Sequence, residues 1–295
     1  MNYYKEIKEE IINNEITKRI KDYSKNKSDL ESKYIIGKLL SEAGKHYGEG
    51  IIKEYSKKLT IEFGNGYSTS DLKRMRQFYI IIEKGAPLEH QLTWSHYKLL
   101  IPIKNYNEIN YYIELSIKQN LSKRELSDRI KNKEYERLPD NTKLKLINKK
   151  EVKVDDLIKN PIIIRNSNNY EVISEKILQK LILEDIPSFL KELGSGFTFI
   201  ENEYKIRIGD SYNYIDLLLY NIKYKCYVVV ELKVTELKKE HIGQIYTYMN
   251  YVDKNIKTIN ENKTIGIIIC KRDNKYILEY CSDKRILSIE YEIVI

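Results

Sequence analysis

The chain has 295 residues, 42% hydrophobic and 32% charged, with a net charge of +8 and a pI near 9.0. That length suits one large domain or two ordinary ones, and the composition is globular. The basic balance points to nucleic acid or an anionic surface, though a chain crowded with Lys, Asn, Ile and Tyr also reflects A- and T-rich coding.

No apolar run approaches the ~18–20 residues of a membrane span, and the charged start MNYYKEIKEEIINNE lacks a signal-peptide core. A soluble cytoplasmic protein with no membrane partner is the expectation. Cys226, Cys270 and Cys281 lie far apart with no CxxC pair, which suggests neither a zinc site nor a disulfide framework. The apolar settings of Cys226 and Cys270 predict small buried side chains.

The first half reads as helical. From Met1 to about Tyr23, and again from Glu31 to Phe63, apolar residues recur every three or four positions. Gly64-Asn65-Gly66 breaks the second pattern. Ser68 or Ser70 then caps a helix through Leu72, Met75 and Phe78. Trp94 opens another segment, in which Trp94 and His96 read as packing residues. Asn107–Gln119 is helical, and Ser122-Lys-Arg-Glu125 has the form of a capping box opening a helix to about Lys133. Residues 121–153 hold eleven Lys or Arg against six acids, enough to track phosphates or simply to solvate a linker. Pro139-Asp-Asn and the polar stretch to Pro161 mark a boundary, giving a helical domain over 1–150 and a second domain over 155–295.

The second domain opens on a helix from about Tyr170 to Leu193, with a kink allowed at Pro187. Strands are predicted at Phe197–Ile208, Tyr212–Tyr220, Lys225–Lys233, Thr264–Cys270, Tyr276–Tyr280 and Ile286–Ile295, with a helix from Glu240 to Val252. The fold class is α followed by α/β, with a central mixed sheet.

The run Tyr227-Val-Val-Val-Glu-Leu-Lys233 carries the chemistry. Alternation puts Glu231 and Lys233 on one face at the end of an apolar strand. Burying an acid and an amine there is costly unless they pair or bind an ion. Taken alone, Glu-X-Lys reads more simply as an ion pair. Asp216 in the preceding strand changes the weighing. With the hairpin centred between Ile222 and Lys223, Asp216 faces Val229 and Glu231 is its diagonal neighbour on the same face. Two carboxylates with room for water suit Mg²⁺ or Mn²⁺, and Lys233 would orient the attacking water or stabilise developing charge.

Ile215-Asp216-Leu-Leu-Leu-Tyr220 with Glu231-Leu-Lys233 resembles the PD-(D/E)XK nuclease superfamily, with Ile215 in place of its proline. Phe189-Leu-Lys-Glu-Leu-Gly194, Glu240-His-Ile-Gly-Gln244 with Tyr248, and Thr264-Ile-Gly266 resemble the YhcG-type nuclease family. Phe63-Gly-Asn-Gly66, Leu72-Lys-Arg-Met75 and Leu92-Thr-Trp-Ser-His-Tyr97 are similar to that family's N-terminal domain. The resemblance spans roughly residues 30–280. It implies a restriction-endonuclease-like fold, Asp216 and Glu231 as metal ligands with the Leu232 carbonyl, and Lys233 as catalytic. It further implies Gln244 from the following helix, with plain helix-surface hydrogen bonding as the alternative. An acid from the first core helix is also implied. Glu175 is the choice and Glu192 the alternative, while His241 reads as an ordinary helix residue.

In the N-terminal half, Lys73, Arg74, Arg76, Lys123, Arg124 and Arg129 would contact phosphates if their helices act in helix-turn-helix fashion. Solvated amphipathic faces are the plainer alternative. The leading reading is a Mg²⁺-dependent phosphodiesterase acting on DNA. A non-catalytic nucleic-acid-binding or assembly protein and an RNA nuclease are the competitors, and homo-oligomerisation is left open.

Overall fold

The computed structural model describes residues 3–20, 25–48, 50–148, 150, 158–280 and 283–295. Cys281 and most of the polar stretch 149–157 lie outside the described residues. By its contacts the chain divides into two compact units, Met1–Tyr135 and Glu136–Ile295. The division falls just ahead of the Pro139 turn signal. Among the described residues no helix is long and apolar enough to cross a membrane.

The first unit is helical: α1 (Tyr3–Ile20), α2 (Lys25–Tyr47), α3 (Gly50–Phe63), α4 (Thr69–Glu83), α5 (Trp94–Leu100), α6 (Tyr106–Gln119) and α7 (Lys123–Lys131). The periodic run expected from Glu31 to Phe63 is two helices, α2 and α3. Ile7, Ile11, Leu40, Ile52, Leu59 and Leu72 close the core of the first four helices. Ser68 caps α4, its hydroxyl accepting from the Asp71 N–H at 3.2 Å. The Ser122 capping box forms, with Glu125 Oε2 accepting from the Ser122 N–H at 2.9 Å. Trp94 and Tyr97 pack on Phe78 at centroid distances of 5.3 and 4.8 Å, and His96 is buried.

The second unit begins with α8 (Asp140–Ile147) and β1 (Ile162–Arg165). The predicted 170–193 helix is two: α9 (Glu175–Glu184) and α10 (Ile186–Leu193). Asp185, at φ −140° and ψ 59°, breaks the first and caps the second by accepting from the Ser188 N–H. Then follow β2 (Phe197–Ile208), β3 (Ser211–Asn221), β4 (Cys226–Glu236), α11 (Lys239–Asn255), β5 (Ile265–Arg272), α12 (Lys275–Glu279) and β6 (Ile286–Val294). The strand expected at Tyr276–Tyr280 is therefore the short helix α12, started by the Asn274 side chain, which accepts from the Ile277 N–H. β1 was not foreseen. It pairs parallel with β6, 129 residues on in the pairing Ile164 to Ile293.

The sheet is mixed, in the order β1-β6-β5-β4-β3-β2. Strands β4, β5, β6 and β1 run parallel, and β4-β3-β2 is an antiparallel meander. One apolar layer joins α9 and α10 to Leu217, Leu219, Val228, Val230 and Leu232. The other joins Ile245, Met249 and Val252 of α11 to Leu218, Val229, Ile268 and Cys270. Gly266 lets α11 lie close over β5, since a Cβ there would sit 2.6 Å from Met249 Sδ. Cys226 and Cys270 are buried free thiols, as expected.

Candidate active site

The β3–β4 hairpin is centred one residue later than expected. It pairs Leu217 with Val230 and Asn221 with Cys226. Two residues of register are gained, so parity is kept: Asp216 falls opposite Glu231 rather than Val229. The ladder stops there, since Leu217–Val230 is its last pair. Beyond it the Leu232 N–H donates to Asp216 Oδ2 at 2.7 Å. A carboxylate thus takes the backbone donor that a strand carbonyl would otherwise take. The Asp216 carbonyl in turn accepts from Gln179 Nε2 on α9 at 3.1 Å.

Glu231 and Lys233 alternate along β4 as read from the sequence. Lys233 Nζ lies 3.5 Å from Glu231 Oε2 and 3.6 Å from Glu175 Oε2, at the first turn of α9. Glu231 is 1% exposed, and its Oε1 is buried without a hydrogen-bond partner. Burial and the neighbouring Asp216 push its carboxyl up to about 8, against the pull of Lys233. Burial also raises Asp216, with the Leu232 N–H and Lys233 opposing. Burial works against the Lys233 ammonium, but Glu231, Glu175 and Asp216 outweigh it and hold its pKa above the ordinary lysine value. The structure therefore brings Asp216, Glu231, Lys233 and Glu175 together.

The other sequence candidates divide. Gln244 donates to the Tyr248 hydroxyl at 3.2 Å within α11, the helix-surface bond named as its alternative. Glu192 is fully engaged elsewhere. It accepts from Arg137, from Lys159 at 3.4 Å and from the Ile163 N–H at 2.9 Å, which pins β1 to α10. That set removes it as a site acid. Arg129 is likewise committed, to Glu134 at 3.0 Å and Gln119 at 2.7 Å, with its side chain 15% exposed, so it is not presented to phosphate. Lys73, Arg74, Lys123 and Arg124 are exposed, with Arg74 leaning on Asp71 at 3.5 Å, and Arg76 is half-buried.

His241, an ordinary helix residue in the sequence reading, feels the charge of Lys233, and Glu203 escaped that reading altogether. His241 sits in the first turn of α11. Its pKa is lowered by burial and by Lys233, and its Nδ1 accepts from the Lys238 N–H at 3.2 Å, so the neutral ring carries its proton on Nε2. Glu203 on β2 lies across from Asp216 by register and raises its pKa. Its φ of 49° is a conformation that non-glycine residues adopt at a cost of ~1–3 kcal/mol. A count along both hairpins would have found it.

Whether a divalent cation fits is decided by Glu231. A buried acceptor without a donor costs about 1–3 kcal/mol, more when charged, and a cation supplies the missing partner. Among the described residues no group of three His, Cys, Asp or Glu side chains forms a ready-made cage. Two carboxylates and a carbonyl make an oxygen set that leaves positions for water, which suits Mg²⁺.

Comparison with known families settles the class. Residues 155–295 match the model of the YhcG PDDEXK nuclease domain, and residues 6–137 match that of the DUF1016 N-terminal domain. The chain belongs to the YhcG nuclease family. A relative in Escherichia coli (strain K12), named "Putative nuclease YhcG", is 25% identical over 267 residues, covering 78% of this chain and 71% of that one. Two solved structures overlap the fold less extensively. A repair endonuclease from Pyrococcus abyssi is 18% identical with a TM-score of 0.30, covering 41% of this chain. An EndoMS–dsDNA2 complex is 20% identical with a TM-score of 0.29, covering 43%. The chain spans about half the length of each, 48% in both cases, and overlaps of that extent carry no argument about activity.

Proposed function

We propose that this YhcG-family chain is a divalent-metal-dependent nuclease that hydrolyses phosphodiester bonds in DNA, with Mg²⁺ or Mn²⁺ as its cation. The observation that carries the reading is the unpartnered, buried Oε1 of Glu231, opposite Asp216 and beside Lys233. A purely structural strand end has no use for that arrangement, because apolar residues there would be cheaper.

Asp216 and Glu231 would hold the cation, with the Leu232 carbonyl as a further oxygen. Such a cation, when bound, polarises a phosphoryl oxygen and acidifies a water. The chain's own residues do the rest. The Leu232 N–H fixes one oxygen of Asp216, leaving the other for ligation. Glu175 and Glu231 hold the Lys233 ammonium between them, charged and in place for the negative charge that builds on the phosphoryl oxygens. Glu175 is thus a positioning residue for Lys233. The helical unit, with Lys73, Arg74 and Arg76 on α4 and Lys123 and Arg124 on α7, would supply affinity for the DNA backbone.

The test is calorimetric titration of Mg²⁺ and Mn²⁺ into the wild type and Asp216→Ala. It is paired with a cleavage panel of duplex, single-stranded and branched DNA and RNA. Metal binding lost in the variant and metal-dependent DNA cleavage are the expected results. Equal metal binding by both proteins would remove the site, and cleavage of RNA alone would reassign the substrate.

A further inference from the structure

Strands β2 and β3 continue together past the point where β4 leaves them. The pairs Tyr204–Ile215, Lys205–Tyr214, Ile206–Asn213, Arg207–Tyr212 and Ile208–Ser211 form a two-stranded ribbon. It is closed by Gly209 and Asp210, with Gly209 at φ 61° as a two-residue turn requires. The two faces of this ribbon differ. Ile206 and Ile215 are buried, with Tyr204 packed beside them against the α11 layer. The opposite face presents Lys205, Arg207, Tyr212 and Tyr214, and the two tyrosines are 57% and 52% exposed.

Those four side chains form a ladder of alternating cation and ring. Each cation stands across from a tyrosine, and Lys205 Nζ lies 3.9 Å from the centroid of the Tyr212 ring. Arg207 donates to the Gly209 carbonyl at 3.1 Å and lies 3.5 Å from Asp210, whose carboxylate is fully in water, so that pairing is weak. The alternation of burial along β3 carries the exposed face straight to the site. Tyr212 and Tyr214 are exposed and Asp216 half-buried, while Ile215 and Leu217 between and beyond them are buried. Glu203 at the head of the ladder faces Asp216, where a bound cation would offset its charge.

We propose that this ribbon face binds an unpaired segment of nucleic acid next to the bond being cut, with bases on Tyr212 and Tyr214 and phosphates on Lys205 and Arg207. The inference rests on the nuclease reading and sharpens its substrate to one with single-stranded character. Two observations select that occupant. Positive groups interleaved with exposed rings match a strand whose phosphates and bases alternate, and stacking requires bases freed from pairing. The surface is also continuous with Asp216, so a strand lying on it delivers a phosphate to the carboxylates.

The experiment is fluorescence anisotropy with a labelled oligo-dT and a labelled duplex of equal length. EDTA is present so that no cutting intervenes, and binding is followed across a salt series. Full-length wild type is compared with Tyr212→Ala/Tyr214→Ala, Tyr212→Phe/Tyr214→Phe and Lys205→Gln/Arg207→Gln, each checked for an unchanged melting temperature. The alanine pair should weaken oligo-dT binding by about tenfold or more, the scale of base–aromatic stacking. The phenylalanine pair should retain binding. The glutamine pair should flatten the salt slope by about 0.7 per lost phosphate contact. Duplex binding should change less than oligo-dT binding in the tyrosine variants. Wild type that binds DNA and cuts it with Mn²⁺, but whose oligo-dT affinity survives the alanine pair, would overturn the ribbon assignment alone. Wild type that binds neither probe and cuts nothing would overturn the nuclease reading and this proposal with it.

Discussion

Replacing Glu231 by Gln tests whether this carboxyl waits for a cation. The side chain is 1% exposed and its carboxyl is pushed from an ordinary 4.5 to about 8, first by burial and then by Asp216. At ~1.4 kcal/mol per pKa unit, the ionised form costs the fold on the order of 5 kcal/mol, an upper figure. The sign follows from linkage. The unfolded chain releases this proton near its ordinary pKa and the folded chain only near 8, so stability falls as pH rises between those values and is flat above. Glu231→Gln has the same shape and no proton to lose. It should therefore gain on the wild type between pH 5 and pH 8.5. If only a third of the penalty survives relaxation, about 1.5 kcal/mol, the gain is roughly 3–6 °C in melting temperature. Scanning calorimetry is the readout, because the single tryptophan, Trp94, lies in the helical unit and would not report on the sheet. With Mg²⁺ or Mn²⁺ at about a hundred times its dissociation constant, the wild type should gain about 2.7 kcal/mol at pH 8 and the variant nothing. A variant destabilised equally at pH 5 and pH 8.5, or one still stabilised by metal, would refute the reasoning.

Lys233→Ala should fold and bind metal, yet cleave roughly a hundredfold more slowly or worse, measured as a single-turnover rate on whichever DNA the wild type cuts. Glu192→Gln should lose about 2–4 kcal/mol in denaturant unfolding, because Arg137, Lys159 and the Ile163 N–H all donate to this carboxylate. Burial opposes its charge, but those donors hold its pKa below the ordinary glutamate value. Its contribution is therefore present above the unfolded pKa and is lost as pH falls through the lowered one, which an acid titration of wild type against variant would show. Changing Lys73, Arg74 and Arg76 together to Ala should weaken duplex binding and flatten its salt dependence by about 0.9 per lost phosphate contact. An unchanged slope would assign the helical unit to protein assembly.

What the sequence disclosed follows from which interactions are local. Strand alternation set Glu231 and Lys233 on one face, and the apolar run set β4 in the interior. A hairpin misplaced by one residue at its centre still gave the right parity for Asp216, since the pairing moved by two. The caps at Ser68 and Ser122 were legible because their partners lie three residues away. Partners far along the chain left no such trace. β1 is four residues whose support comes from β6 and from Glu192. Glu192 resembled a site acid because the Arg137 that neutralises it lies 55 residues earlier. Tyr276–Tyr280 has the aromatic and aliphatic texture of a strand, but Asn274 caps it into a helical turn too short for periodicity to reveal. Arg129 looked free on a basic helix, and only the fold shows Glu134 and Gln119 closing on it.

The site's position depends on a ladder that ends. Had β3 and β4 stayed paired past Leu217, the Leu232 N–H would have been free to meet a strand carbonyl. The carboxylate would then have had no backbone donor to hold it. The strands part after Leu217–Val230, and two backbone groups near the break are taken by side chains. Asp216 Oδ2 takes the Leu232 N–H, and Gln179 takes the Asp216 carbonyl. Across the same point the inward face of β3 turns from the α9–α10 layer, which holds Leu217, to the α11 layer, which holds Ile215. Asp216 sits where that turn opens the sheet, its main chain satisfied from one side and its carboxylate held from another. Glu231 is buried opposite, with one oxygen unanswered. The acids therefore stand at a break in the ladder where side chains take backbone groups of Leu232 and Asp216, while one oxygen of Glu231 is left without a partner.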